Sequence, residues 1–212
     1  MSLLAPVLVL AAASPAQDGW EQTSFRCDRP QACESADCCE LSLAIFVRDD
    51  AATGLREVRA TGEMDAPPAE IFRVLTDYDH YTEFMPYTVG SKLLWREGNE
   101  VVVWGMVDPP LIARRDWVTR SKLEPGGPGG VYRTTWWPED KLGPPPEPGV
   151  VRLTKNSGSW TLVPVDGGKR TRGTYFTATS PGGSLPEFIV KAVSTSGIPA
   201  LFAALRQRAA PH

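Results

Sequence analysis

The chain has 212 residues, 42% of them hydrophobic and 22% charged, with 25 acids against 22 bases and a formal net charge of −3. Such a composition fits one globular domain with a sizeable core, or one domain and an appendage, and it offers no general attraction for a phosphate backbone, so no nucleic-acid partner is expected. With only two histidines, His80 and His212, a multi-histidine metal centre is excluded, and no metal or cofactor is expected.

Residues 1–16 read as an export signal. Ser2 to Ala16 carry no charge, and Leu3 to Ala13 form an apolar run of the length of a signal-peptide core. Ala11-Ala12-Ala13 or Ser14-Pro15-Ala16 supplies small residues for cleavage. The run is too short to span a bilayer, and it lacks the Lys or Arg that usually precedes such a core. A buried N-terminal helix is the alternative, opposed by Pro6 and Pro15. The expected location is the periplasm or the cell exterior.

Residues 17–40 hold all four cysteines, Cys27, Cys33, Cys38 and Cys39. An even, tightly spaced set behind an export signal reads as two disulfides formed in an oxidising compartment. Adjacent Cys38 and Cys39 then bond to different partners, and the pairing is open. Zinc is the rival, but its ligands usually come as spaced pairs, and a vicinal pair suits tetrahedral ligation poorly.

Further along, Leu41 to Arg48 alternates as a strand, Asp49 to Gly54 is a turn, and Leu55 to Met64 is the returning strand. A helix begins at Asp65, with Pro67 in its first turn and Ile71, Val74 and Leu75 repeating at three and four. Tyr81 to Met85 is a short second helix. Strand patterns follow at Gly90–Trp95, Glu100–Val107, Arg114–Leu123, Gly130–Trp137, Val150–Asn156, Gly158–Val163 and Arg172–Ser180, with Gly- and Pro-rich turns between them. Ser184 and Glu187 make a capping box for a final helix over Leu185 to Arg208, kinked at Gly197 and Pro199.

This order predicts an α+β fold of seven or more antiparallel strands and one long terminal helix. The sheet must bury one face, and a helix laid across a curved sheet closes its concave side, leaving a cavity where the fit is loose. Val102, Trp104 and Met106 share one face of their strand and are candidate lining residues.

Four passages carry a resemblance. They are Met64 to Asp77, Asp108-Pro109-Pro110-Leu111-Ile112-Ala113-Arg114-Arg115-Asp116-Trp117-Val118, Gly158-Ser159-Trp160-Thr161-Leu162-Val163-Pro164, and Pro181-Gly182-Gly183-Ser184-Leu185-Pro186. In order and spacing these resemble, from about Leu55 to Arg208, the START domain, the steroidogenic-acute-regulatory-related lipid-transfer family of the helix-grip superfamily, and the domain is placed at residues 41–210. The resemblance implies a curved antiparallel sheet gripped by the C-terminal helix around an internal cavity. It also implies a monomeric carrier or sensor of one lipid or sterol-like molecule, gated by the kinked last helix and the Gly105–Ala113 and Gly182–Pro186 loops. Pro109, Pro110 and Ile112 are the candidates for transient contact with a membrane surface, a plain strand connection being the alternative. The candidate ligand-binding residues are Tyr78, Tyr81, Phe84, Val102, Trp104, Met106, Arg115, Trp117, Tyr132, Trp136 and Phe188. Tyr175 and Trp160 are assigned to either cavity or core.

Ser180 stands where many relatives have Asp. Arg120 comes one position early for the cavity arginine of several relatives, which in a strand turns it to the other face. The Gly143–Pro148 loop looks like an insertion. Arg115 and Asp116, being adjacent in a strand, point to opposite faces; one is a candidate for a polar head group, and a structural salt bridge is the alternative for each.

No nucleophile elbow, phosphate loop or histidine-based dyad is present, so no catalytic residue is assigned. The same superfamily contains polyketide cyclases and aromatases. That enzymatic alternative would require buried polar groups such as Tyr132, Arg133 or Asp116 at the reacting atoms. A ligand-free interaction module, its interior filled by tryptophans, is the third reading.

Overall fold

The computed structural model describes residues 19–27, 42–180 and 196–210. Its strands are β1 (Glu21–Cys27), β2 (Ser42–Asp50), β3 (Leu55–Met64), β4 (Thr88–Glu97), β5 (Glu100–Val107), β6 (Arg115–Glu124), β7 (Tyr132–Pro138), β8 (Val151–Arg152), β9 (Asn156–Val165) and β10 (Arg170–Thr179). Its helices are α1 (Pro68–Leu75), α2 (Tyr81–Phe84) and α3 (Ile198–Ala209). Nine strands lie in the order β1-β2-β3-β10-β9-β7-β6-β5-β4, each antiparallel to its neighbour, and β8 adds a short parallel pairing to the start of β6. The register of β10 on β3, from Thr171 opposite Met64 to Thr179 opposite Arg56, joins the last strand to an early one.

Local chemistry explains the helices. α1 starts where Pro67 and Pro68 fix the backbone without needing donors. It buries Ile71, Phe72, Val74 and Leu75, and it stops at Thr76, whose Oγ1 returns to the Phe72 carbonyl at 2.9 Å. α3 buries Ile198, Phe202, Leu205 and Ala209 at four-, three- and four-residue spacing, a single stripe facing the sheet. Phe202 approaches so closely that a Cβ on Gly62 would lie 2.9 Å from its ring. Glycine there lets helix and sheet pack at ring-to-backbone distance. Arg206 Nε also donates to the Glu63 carbonyl at 2.9 Å.

The inner face gathers Leu43, Ile45, Val47, Val58, Ala60, Met64, Val101, Val103, Leu123, Trp160 and Leu162 against α1 and α3. On the outer face Trp20, just before β1, stacks between the Arg48 and Arg59 guanidinium groups at 4.8 and 4.6 Å and meets Phe176 edge-on at 6.4 Å. β1 itself is an edge strand that the alternation pattern did not mark. The predicted strand Val150–Asn156 shrinks to the two residues of β8, and the chain between β7 and β9 becomes a strap across the outside of β6. A Cβ on Gly143 would meet the Val118 side chain at 2.1 Å, and Glu139 N donates to the Val118 carbonyl at 3.0 Å. The predicted export signal, Cys33, Cys38, Cys39, the Ser184–Glu187 cap, Phe188 and the start of the final helix lie outside the described residues.

Candidate functional site

Side chains alternate across a strand, so register decides what the interior holds. Opposed pairs carry the inner face from strand to strand: Ala60 with Tyr175, Tyr175 with Trp160, Trp160 with Thr134, and Trp136 with Ser121. Along β6 the inner positions are Arg115, Trp117, Thr119, Ser121 and Leu123, opposed on β5 by Val107, Gly105, Val103 and Val101 up to Ser121.

The inner face has two ends of different character. Beneath α1 and α3, Met64, Ile71, Leu162, Phe202 and Leu205 are each 0% exposed. Toward the β5–β6 loop, Trp117, Trp136, Tyr175, Thr177, Thr179 and Asn156 keep part of their surface accessible. A ladder of rings joins the two ends. Phe202 meets Trp160 at 5.2 Å, Trp160 meets Tyr175 at 5.0 Å, and Tyr175 stacks on Trp136 at 5.9 Å. The last indoles lie down on the sheet. A Cβ on Gly158 would fall 2.2 Å from the Trp136 ring, and one on Gly105 would fall 2.6 Å from Trp117. Glycine opposite each tryptophan therefore lets a large ring floor the site flat rather than stand across it.

A side wall comes from Tyr78, Tyr81 and Phe84, whose rings are 5.5 and 5.6 Å apart in sequence. Burial pushes the Tyr78 phenol up to about 12, against the Arg96 charge and hydrogen bonds with Ser121 and Thr134 that favour its ionised form. Burial also raises Tyr81 well above the ordinary phenol range, and its hydroxyl donates to the Leu75 carbonyl at 2.5 Å. Tyr132 packs on Phe72 at 5.2 Å. Arg115 is 7% exposed and donates to the Ala113 carbonyl; desolvation lowers the pKa of its guanidinium.

Seven of the sequence-predicted residues thus share the inner side: Tyr78, Tyr81, Phe84, Arg115, Trp117, Tyr132 and Trp136. Val102, Trp104 and Met106 do not. They pair with Arg120, Val118 and Asp116 and face outward, on the side of the sheet where the strap crosses β6. The alternation of β5 was read correctly but assigned to the wrong face, because the strap makes the outer surface apolar there as well. Phe188 lies outside the described residues. Trp160 belongs to the enclosed core, while Tyr175 bridges core and open end.

Arg115 and Asp116 point to opposite faces, as expected. Asp116 is 1% exposed and takes Arg152 Nε at 2.8 Å, Arg152 Nη2 at 2.7 Å and Trp104 Nε1 at 3.1 Å. Burial pushes the carboxyl up, but these hydrogen bonds and the Arg152 charge outweigh it and hold Asp116 below the usual carboxylate range. Its role is the structural salt bridge. Arg120 also faces outward, between Glu100 and Glu139 and over the Trp95 ring.

Sequence reasoning missed the polar cluster at the open end. Trp136 Nε1 donates to Asn156 Oδ1 at 3.4 Å, Thr179 Oγ1 donates to the same oxygen at 3.2 Å, and Thr177 Oγ1 lies 3.0 Å from Thr179 Oγ1. The available signal is the two-residue spacing of Tyr175, Thr177 and Thr179; the strand pattern Val150–Asn156 places Asn156 at the end of a separate strand. Among the described residues no group of three or more His, Cys, Asp or Glu is placed to hold a metal ion, and no helix is long and apolar enough to cross a membrane.

The model of a family described as polyketide cyclase/dehydrase and lipid transport matches residues 64–206. The chain belongs to that family. A STAR-related lipid transfer protein from Xanthomonas axonopodis superposes with a TM-score of 0.71, covering 91% of this chain and 99% of its own, at 24% identity. Human StAR-related lipid transfer protein 5 superposes at 0.73, covering 92% and 88%, at 17% identity. The Zhui aromatase/cyclase from Streptomyces sp. R1128 superposes at 0.55, covering 73% and 93%, at 20% identity. An uncharacterized protein of Pseudomonas aeruginosa is 29% identical over 137 residues, 62% of this chain and 64% of that protein's length. The START helix-grip fold of this family is therefore the fold of the chain, and both lipid carriers and cyclases share it.

Proposed function

We propose that the protein binds one apolar molecule, lipid or sterol-like, on the open end of its inner face and carries it through water without altering it. The observation behind this reading is the change along the ring ladder, from fully enclosed at Phe202 to partly accessible at Tyr175, Trp136 and Trp117. A filled core would enclose these rings as completely as it encloses Leu162. The energetics favour shielding: each methylene left in water costs about 0.8 kcal/mol, so a chain of roughly 16 carbons costs more than ten.

Exchange with a membrane would occur at the same end. Leu111 is 85% exposed and held at a φ of 71°; Tyr87 is 46% exposed at 59°, and Val89 is 50% exposed. Asp108 N ties the two segments together through the Tyr87 carbonyl at 2.9 Å. Large apolar side chains kept outward on strained backbone suit contact with a lipid surface.

The cyclase alternative is weakened by the positions of two of its three candidate groups, Tyr132 alone lying on the inner side. Asp116 is consumed by Arg152 on the outer face, and Arg133, opposite Thr161, is exposed. The test of binding is titration with a fluorescent fatty acid, with quenching of the inner tryptophans as readout. The expected result is saturation at about one probe per chain, and no saturable uptake across a panel of lipids overturns the proposal. Export through residues 1–16, with disulfides among Cys27, Cys33, Cys38 and Cys39, belongs to the same reading. Unreduced mature protein should then show no reactive thiol; four would contradict it.

A further inference from the structure

We infer that Asn156 selects the guest by its polar end: its carboxamide N–H groups receive a carbonyl oxygen of the bound molecule. The inference rests on the binding reading above and adds the chemistry of the ligand. An indole N–H can only donate, so the atom facing Trp136 Nε1 at 3.4 Å is the Asn156 oxygen. Thr179 Oγ1 donates to that oxygen as well, at 3.2 Å. Behind it, Thr177 Oγ1 stands 3.0 Å from Thr179 Oγ1 and 3.3 Å from the Ser157 carbonyl, so both threonine hydroxyl protons have acceptors within the cluster.

The cluster therefore fixes the amide. Its oxygen is fully engaged, while no described residue accepts from its Nδ2, and the side chain remains partly exposed. Two donors are left at the end of an aromatic floor made by Trp136 and Tyr175. Donors on a neutral amide, beside flat apolar rings, suit an acceptor that carries no charge and is attached to an apolar body. A carbonyl of an ester or a ketone has that character; a free hydrocarbon has nothing to offer the amide, and a second donor would leave it unpaired.

The test compares three pyrene-tagged probes of equal length, an alkane, a methyl ester and a methyl ketone, on the full chain and on Asn156→Asp. The substitution keeps the acceptor for Trp136 and Thr179 and replaces the free donors with an acceptor. Affinity for at least one carbonyl probe should fall about ten-fold, while that for the alkane stays within about two-fold, and the probe that falls identifies ester or ketone. Asn156→Ser, which shortens the side chain without charge, carries the same test if the aspartate variant fails to fold. Equal weakening of all three probes makes Asn156 merely structural and overturns the assignment. Unchanged affinity for all three overturns it too, while leaving the apolar site standing. If the unsubstituted chain binds none of the probes, the site itself is refuted and the assignment with it.

Discussion

Replacing Asp116 by alanine should detach the outer strap and leave the inner site intact. The carboxylate is 1% exposed, and Arg152, whose side chain is 9% exposed, gives it two hydrogen bonds of 2.7 and 2.8 Å. Removing it leaves the buried guanidinium only the Pro144 carbonyl and the more distant Asp140 carboxylate at 4.0 Å, and takes the acceptor from Trp104 Nε1. Loss of one partner from a buried pair costs about 3–5 kcal/mol. At about 2–4 °C per kcal/mol for a chain of this size, the melting temperature should fall by roughly 10 °C. The assay is thermal and urea denaturation, repeated on Asp116→Leu with Arg152→Leu. That double variant should recover much of the loss, because no unpaired charge remains. Because Asp116 sits below the usual carboxylate range in the fold, its contribution is complete above the unfolded carboxyl pKa. That contribution disappears as pH falls through the lower folded value, so the unsubstituted chain should show an acid-sensitive component that Asp116→Asn lacks. Lipid uptake below the melting transition should be unchanged. A loss under 1 kcal/mol, or selective loss of uptake with stability intact, would refute the structural assignment.

Two other substitutions probe the site and its rim. Gly158→Ala places a Cβ 2.2 Å from the Trp136 ring and 2.3 Å from the Phe176 carbonyl. The backbone clash cannot be relieved by a rotamer, so destabilisation of about 1–3 kcal/mol and altered Trp136 fluorescence are expected; wild-type melting and emission would contradict the flat indole. Leu111→Gly relieves the positive φ but frees the unfolded chain, so stability should stay within about 1 kcal/mol. Lipid extraction from vesicles should nevertheless slow several-fold, and an unchanged rate would remove the loop from membrane contact.

The strands were legible where one face is dry and the other wet. β3 has the bounds that its alternation predicted, and α1 follows its prolines and its three- and four-residue spacing. Legibility failed where both faces are covered. On β5, Val101 and Val103 belong to the inner core cluster while Val102 and Met106 point to the opposite face, and all four are buried. Period two then shows which residues share a face without showing which face is inner. The strap hid for the same reason that it exists: prolines cannot donate to a ladder, so Arg152 fastens it through side chains that only the fold brings near. Asn156 was obscured because its hydrogen-bond partners, Thr179 and Trp136, each lie on a different strand.

The binding claim is tested most directly by native mass spectrometry of the mature protein purified from cells without detergent. The expected spectrum shows the chain carrying one additional mass of a few hundred daltons, released on activation and identifiable as an apolar molecule with a carbonyl group. A spectrum of the bare chain alone, unchanged after incubation with a broad lipid panel, would contradict it.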